Sequence, residues 1–157
     1  MELSTSELIR KSLHGEWAHP DPIKMMEGVD WKMAGQKIEG LPYTIWQLFH
    51  HTMYWQRLIV QGLEGKDVKW PQNLEDSWTT LVAPSGELEF KQLVSELNLQ
   101  LEKVGAILND DLLREGFPSG EGMPKAEFLR VLMTHNSYHF GQIMVLKRLV
   151  GAYPTSS

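Results

Sequence analysis

Between Pro124 and Gly151 the chain reads KAEFLRVLMTHNSYHFGQIMVLKRLV, a stretch with no interior proline and apolar residues at every helical turn. At about 100° per residue, Arg130, Thr134, Ser137, Gly141 and Arg148 gather on one side. Phe128, Leu132, His135, His139, Ile143, Leu146 and Val150 gather on the other. This spacing predicts an amphipathic helix from Pro124 or Lys125 to about Val150, stopped by Gly151 and then Pro154. A helix with one apolar stripe must bury it against another element.

The remaining periodic segments are also helical. A helix is predicted from about Thr5 to Gly15, opened by STSE as a capping box. The prolines and glycines of HPDPIKMMEGVDWKMAGQKIEGLP mark loops around one short turn near Ile23 to Glu27. A second helix starts at Pro42 and ends near Gly62 or Gly65, and a third runs from Glu87 to Leu113. The short REGFPSGEGMP break predicts that the third and last helices are antiparallel neighbours. The irregular stretch from Glu64 to Gly86 is long enough to cross a whole bundle, so a parallel pair is allowed there. The expected fold is all-α: one domain over residues 1–157, a four-helix bundle with long crossover connections.

Several function classes drop out. Without cysteine there is no disulfide, thiolate ligand or cysteine nucleophile. Any metal must be held by imidazole, carboxylate or amide groups. Lysines and arginines are scattered over a chain of net charge −5, which argues against nucleic acid as a partner. No apolar run is long enough for a transmembrane helix, and the N-terminus lacks a signal-peptide h-region, so a cytoplasmic location is expected.

Two imidazoles at i and i+4 lie one turn apart and lean the same way. His135 and His139 can therefore converge on one ion, although HNSYH carries no glutamate and is not the HExxH of zinc proteases. The second helix offers His50 and His51. His50 falls with polar Gln47, Tyr54, Arg57 and Gln61, opposite Ile45, Leu48, Thr52, Trp55, Ile59 and Leu63. His51 lies on the border between the two sets, closer to the bundle interior. Two readings stay open here: core histidines with ordinary hydrogen-bond partners, or a three-histidine site. His14 and His19 flank a loop and read as surface residues that could line a pocket mouth. Tyr54, Trp55, Trp70 and Trp78 read as packing.

LPYTIWQLFHHTMYWQRLIVQG and the later THNSYHFGQIMVLKRLVGAYP resemble the DinB-like (DinB/YfiT) family, bacterial proteins associated with damage and stress. The similarity extends from about Leu8 to Pro154, through WxxxxH and HxxxHxGQI, with Trp70, Pro71 and Trp78 of the long connection also similar. It implies a four-helix bundle of unusual connectivity. It also implies a divalent metal, commonly zinc or nickel, on His51 (five positions after Trp46), His135 and His139. Many members are homodimers. Characterised relatives transfer low-molecular-weight thiols such as bacillithiol or act in mycothiol-dependent isomerisation, and most others carry only a metal-dependent hydrolase or transferase label.

The resemblance thus implies a metal-dependent thiol S-transferase or hydrolase acting on a small molecule at a metal with open positions. Such an ion acidifies a bound water or thiol. The alternatives are a non-catalytic metal-binding stress-response dimer and a metal-free interaction module. Gln142, adjacent in angle to His135, and Asn136 are candidates to orient the imidazoles. Glu96 or Glu102 is a candidate general base, and Tyr138 is placed at the cavity edge.

Overall fold

A computed structural model describes residues 2–152; Met1 and residues 153–157, including the expected stop at Pro154, lie outside the described residues. Every regular element among the described residues is helical. The helices are α1 (Thr5–Leu13), α2 (Pro22–Met26), α3 (Trp31–Ala34), α4 (Ile45–Leu63), α5 (Glu87–Ile107), α6 (Asp110–Arg114) and α7 (Lys125–Leu149), with a 3-10 turn at Leu74–Ser77.

Side chains that satisfy the free N–H groups of a first turn set the helix starts. Ser4 caps α1 in a reciprocal box with Glu7. Thr44 caps α4 in the same way with Gln47, so the second helix begins at Ile45 and not at Pro42. Asn109 accepts from the Leu112 backbone and starts α6, which divides the predicted third helix into α5 and α6. α7 ends where Gly151 adopts φ 75°. The Ala152 N–H reaches the Lys147 carbonyl at 2.8 Å and the Gly151 N–H reaches Arg148 at 3.3 Å, a Schellman closure.

α4 is the hub, packing against both α5 and α7. Trp46 meets Phe90, Arg57 meets Glu96 and Gln56 meets Gln100, so numbers rise together and α4 and α5 run parallel. Phe49 meets Phe140 while Gln56 meets Asn136, so α4 and α7 are antiparallel. The connection from residue 64 to 86 thus does return the chain across the assembly. α5 and α7 are antiparallel, as their short link predicts. They are not close neighbours, however, because each packs its backbone against α4, and α6 occupies the turn between them.

This arrangement moves the buried faces from their predicted positions. Being covered on two sides, α4 buries Trp46, Phe49, Met53 and Gln56 besides the expected stripe, while Trp55 is only half-buried. On α7 the buried set is Lys125, Leu129, Leu132, Asn136, His139, Phe140, Ile143, Leu146 and Lys147. The histidines therefore sit at the border of the buried face and not at its centre, and His135 and Phe128 are half-buried. Lys147, fully buried, donates to the Met25 carbonyl at 2.9 Å.

The core has two apolar clusters. One surrounds Trp46, Phe49, Met53, Leu97 and Phe140, and the other surrounds Ile59, Leu63, Val104, Leu129 and Leu132. A polar layer occupies the sequence positions between them on α4, α5 and α7. Asn136 donates to Gln56, Gln56 to Gln100, and Gln100 to Glu96, each at 2.8 Å, and Glu96 closes the chain on Arg57. Buried amides persist in a core only when paired in this way.

Candidate metal centre

The antiparallel crossing of α4 and α7 brings His51 beside His135 and His139. One ring nitrogen from each of the three lies within 4.8 Å of the others. Ring centroids are 5.2 Å apart for His51–His135, 4.8 Å for His51–His139 and 4.4 Å for His135–His139. Among the described residues this is the group of histidines and carboxylates close enough to share an ion, and no fourth such side chain joins it.

The hydrogen bonds specify which nitrogens are free. His51 Nδ1 lies 2.9 Å from Ser77 Oγ, and the Ser77 hydroxyl donates its proton to the Leu74 carbonyl at 2.7 Å. Ser77 therefore accepts from His51, which carries its proton on Nδ1 and keeps a lone pair on Nε2. His139 Nδ1 lies 2.7 Å from Gln142 Oε1, an oxygen that can only accept, so His139 is arranged in the same way. Gln142 in turn donates to the Tyr43 hydroxyl at 3.4 Å. Among the described residues no hydrogen bond holds the His135 ring, whose neighbours are the other two imidazoles.

All three rings are kept neutral. Burial first, then the neighbouring His139, pushes His51 down to about 4, opposed by its hydrogen bond to Ser77. Burial, then His139 and His51, pushes His135 down to about 3. Burial also lowers His139, against the opposing effect of Gln142. The cause is common: a charged imidazole loses hydration here, and three cations cannot share one site.

Aromatic side chains wall the cluster. Trp78 stacks on His51 with centroids 4.0 Å apart and planes 11° from parallel, and Tyr43 stacks behind Trp78 at 5.6 Å. Tyr138, 64% exposed, presents an edge to His139 at 4.9 Å. Trp78 is thus a wall of the site, whereas the sequence assigned it to packing. Trp70 and Trp55 do pack, in a separate aromatic group with Phe117 and Phe128.

The other candidates separate cleanly. His50 is on the α5 side of α4, against Trp46, in a cleft of about 180 Å³ shared with Arg57, Glu89 and Glu96. Its buried Nδ1 has no partner, and burial, then Arg57, lowers its pKa. Gln142 bonds His139 and not His135. Asn136 turns into the polar layer toward Gln56. Glu96 is held by Arg57 and Gln100, and Glu102 is exposed and accepts from Asn98, so neither attends the imidazoles. His14 and His19 are partly exposed, the His14 side chain to 42%. His14 pairs with Asp21 at 2.5 Å, and His19 Nε2 meets Ser137 Oγ at 2.8 Å, tying the first loop to α7. Sequence reasoning missed Ser77, Tyr43 and the Gln56–Gln100 pair.

The donor set fits a divalent first-row ion. Neutral imidazole is the ligand form that zinc, copper, iron and nickel accept, and two of the three rings already spend Nδ1–H on an outer acceptor. Bonds of about 2.0–2.1 Å in a tetrahedral geometry would need ligand nitrogens about 3.3 Å apart.

Compared with known proteins, the chain matches the family model described as the DinB superfamily over residues 2–143, a span that includes His51, His135 and His139. No curated protein and no solved structure matches it.

Proposed function

The chain belongs to the DinB superfamily, and from that premise we propose that it is a metal-dependent enzyme holding one divalent ion, zinc or nickel, on His51, His135 and His139. The observation that carries the reading is the convergence of three neutral imidazoles from two helices, with no fourth protein ligand among the described residues. A closed structural site would use four protein ligands, whereas three leave a position for substrate. The ion, when bound, supplies Lewis acidity that makes a thiol or a water brought to it a better nucleophile at neutral pH.

The substrate class proposed is a small molecule presented with a low-molecular-weight thiol, for S-transfer, or with water, for hydrolysis. The chain's own residues orient and shield. Ser77 and Gln142 accept the Nδ1 protons of His51 and His139. Trp78 covers one face of His51 and excludes water from it. Half-buried His135 and exposed Tyr138 border the side from which substrate can enter. No cysteine is needed, in keeping with its absence from the sequence. We further propose that the protein acts as a homodimer in the cytoplasm; no helix among the described residues is long and apolar enough to cross a membrane.

The test is elemental analysis of untagged protein purified without chelator, beside the His51→Ala variant. The expected result is near-stoichiometric divalent metal in the parent and its loss in the variant, followed by screens for thiol transfer and hydrolysis. Protein that arrives without metal and takes up none from added zinc or nickel would refute the proposal.

A further inference from the structure

The segment that joins α4 to α5 is long for a connection inside one domain. Its only regular element is the 3-10 turn Leu74–Ser77, which is capped at its own start by Asn73 and Asp76. That turn delivers one fully buried polar side chain to the centre: Ser77 is 1% exposed. Its hydroxyl has a single proton, committed to the Leu74 carbonyl three residues earlier at 2.7 Å. What remains is a lone pair aimed at His51 Nδ1, 2.9 Å away. Were Ser77 to donate to His51 instead, its oxygen would face the Leu74 carbonyl oxygen at 2.7 Å with no proton between them.

This matters because a free imidazole in water favours the tautomer with its proton on Nε2. In that form the nitrogen that faces the other two histidines would carry a hydrogen and could not ligate. We infer that Ser77 is a positioning residue that holds His51 as the Nδ1–H tautomer, so that Nε2 presents its lone pair to the cluster before any ion arrives. The adjacent Trp78 fixes the plane of the same ring by stacking on it. One dipeptide of the connection thus sets both the tautomer and the orientation of the α4 ligand. On α7 the equivalent partner of His139 lies three residues away in the same helix, at Gln142. The helix therefore builds its own support for His139, whereas His51 depends on a residue brought in by the tertiary fold. The inference rests on reading the three histidines as ligands only in its consequence for affinity. The tautomer itself is a property of the metal-free chain.

The experiment is long-range proton–nitrogen correlation NMR of the imidazoles in metal-free protein, at a pH above 7, joined to zinc titration. The wild type is expected to show His51 with a protonated Nδ1 and an unprotonated Nε2. Ser77→Ala is expected to shift His51 toward the Nε2–H form and to weaken zinc binding by roughly 10–100-fold, the usual cost of losing an outer partner of a ligating histidine. Ser77→Thr, which keeps the hydroxyl, is expected to retain the wild-type tautomer. An Nε2–H tautomer in the wild type overturns the inference without any variant. So does a Ser77→Ala protein with unchanged tautomer and affinity. A locked Nδ1–H tautomer in a wild type that binds no zinc or nickel refutes the metal reading alone.

Discussion

Lowering the pH of the metal-free protein from 7 to 5 is predicted to cost about 4 kcal/mol of stability through His51 and His135. Their folded-state pKa values are about 4 and about 3, against an ordinary 6.5. A histidine depressed on folding binds its proton more readily in the unfolded chain, so acid favours unfolding. The loss begins as pH falls through about 6.5 and continues until the folded values are reached. At pH 5 each unfolded imidazole is almost fully protonated and each folded one almost fully neutral. Linkage then gives about 2 kcal/mol per ring relative to pH 7. The pair figure is an upper bound, since half-buried His135 is partly screened by solvent. Even half of it is a large share of the 5–15 kcal/mol typical of a domain. The carboxylates that folding acidifies, among them Glu7, Glu89, Asp110 and Glu127, act at lower pH and leave the window to the histidines. The assay is urea unfolding at pH 7, 6 and 5, with His51→Gln and His135→Leu each expected to flatten the slope by about one proton, near 1.4 kcal/mol per pH unit. A flat profile for the metal-free parent, or a slope unchanged by both replacements, would refute the burial argument.

Two other outcomes follow from the same geometry. His135→Leu should leave metal-free protein as stable as the parent or up to about 1 kcal/mol more stable at pH 7, because an imidazole without a hydrogen bond gives way to an apolar group; metal uptake should be lost, and a variant that still holds stoichiometric zinc would remove His135 from the site. Gln56→Ala should cost about 3–5 kcal/mol by chemical denaturation, because Gln56 is fully buried and its loss strands the Asn136 amide and the Gln100 carbonyl while opening a cavity. A cost below about 1 kcal/mol would mean that the polar layer contributes little.

The sequence was sufficient for everything that repeats along one helix. The capping box of Ser4 carries its partner three residues on, and Gly151 ends α7 by a conformation open to glycine. The spacing of His135 and His139 places them one turn apart wherever the helix packs. Periodicity also separated His51 from His50, because one position on α4 is 100° of rotation and the two rings end facing different helices, α7 and α5. What could not be read were features set by a neighbour distant in sequence. The division at Asn109 and the double covering of α4 shifted the buried arcs, so that Asn136, and not His135, faces the interior. A helix declares an apolar side only to within a wide arc, and the partner that packs against it selects the centre. Ser77 lies 26 residues from His51 in a segment with no period. Its hydroxyl meets the imidazole because the connection folds back against α4. The three histidines that converge were therefore legible in the sequence, while the Ser77 partner of His51 was supplied only by the tertiary structure.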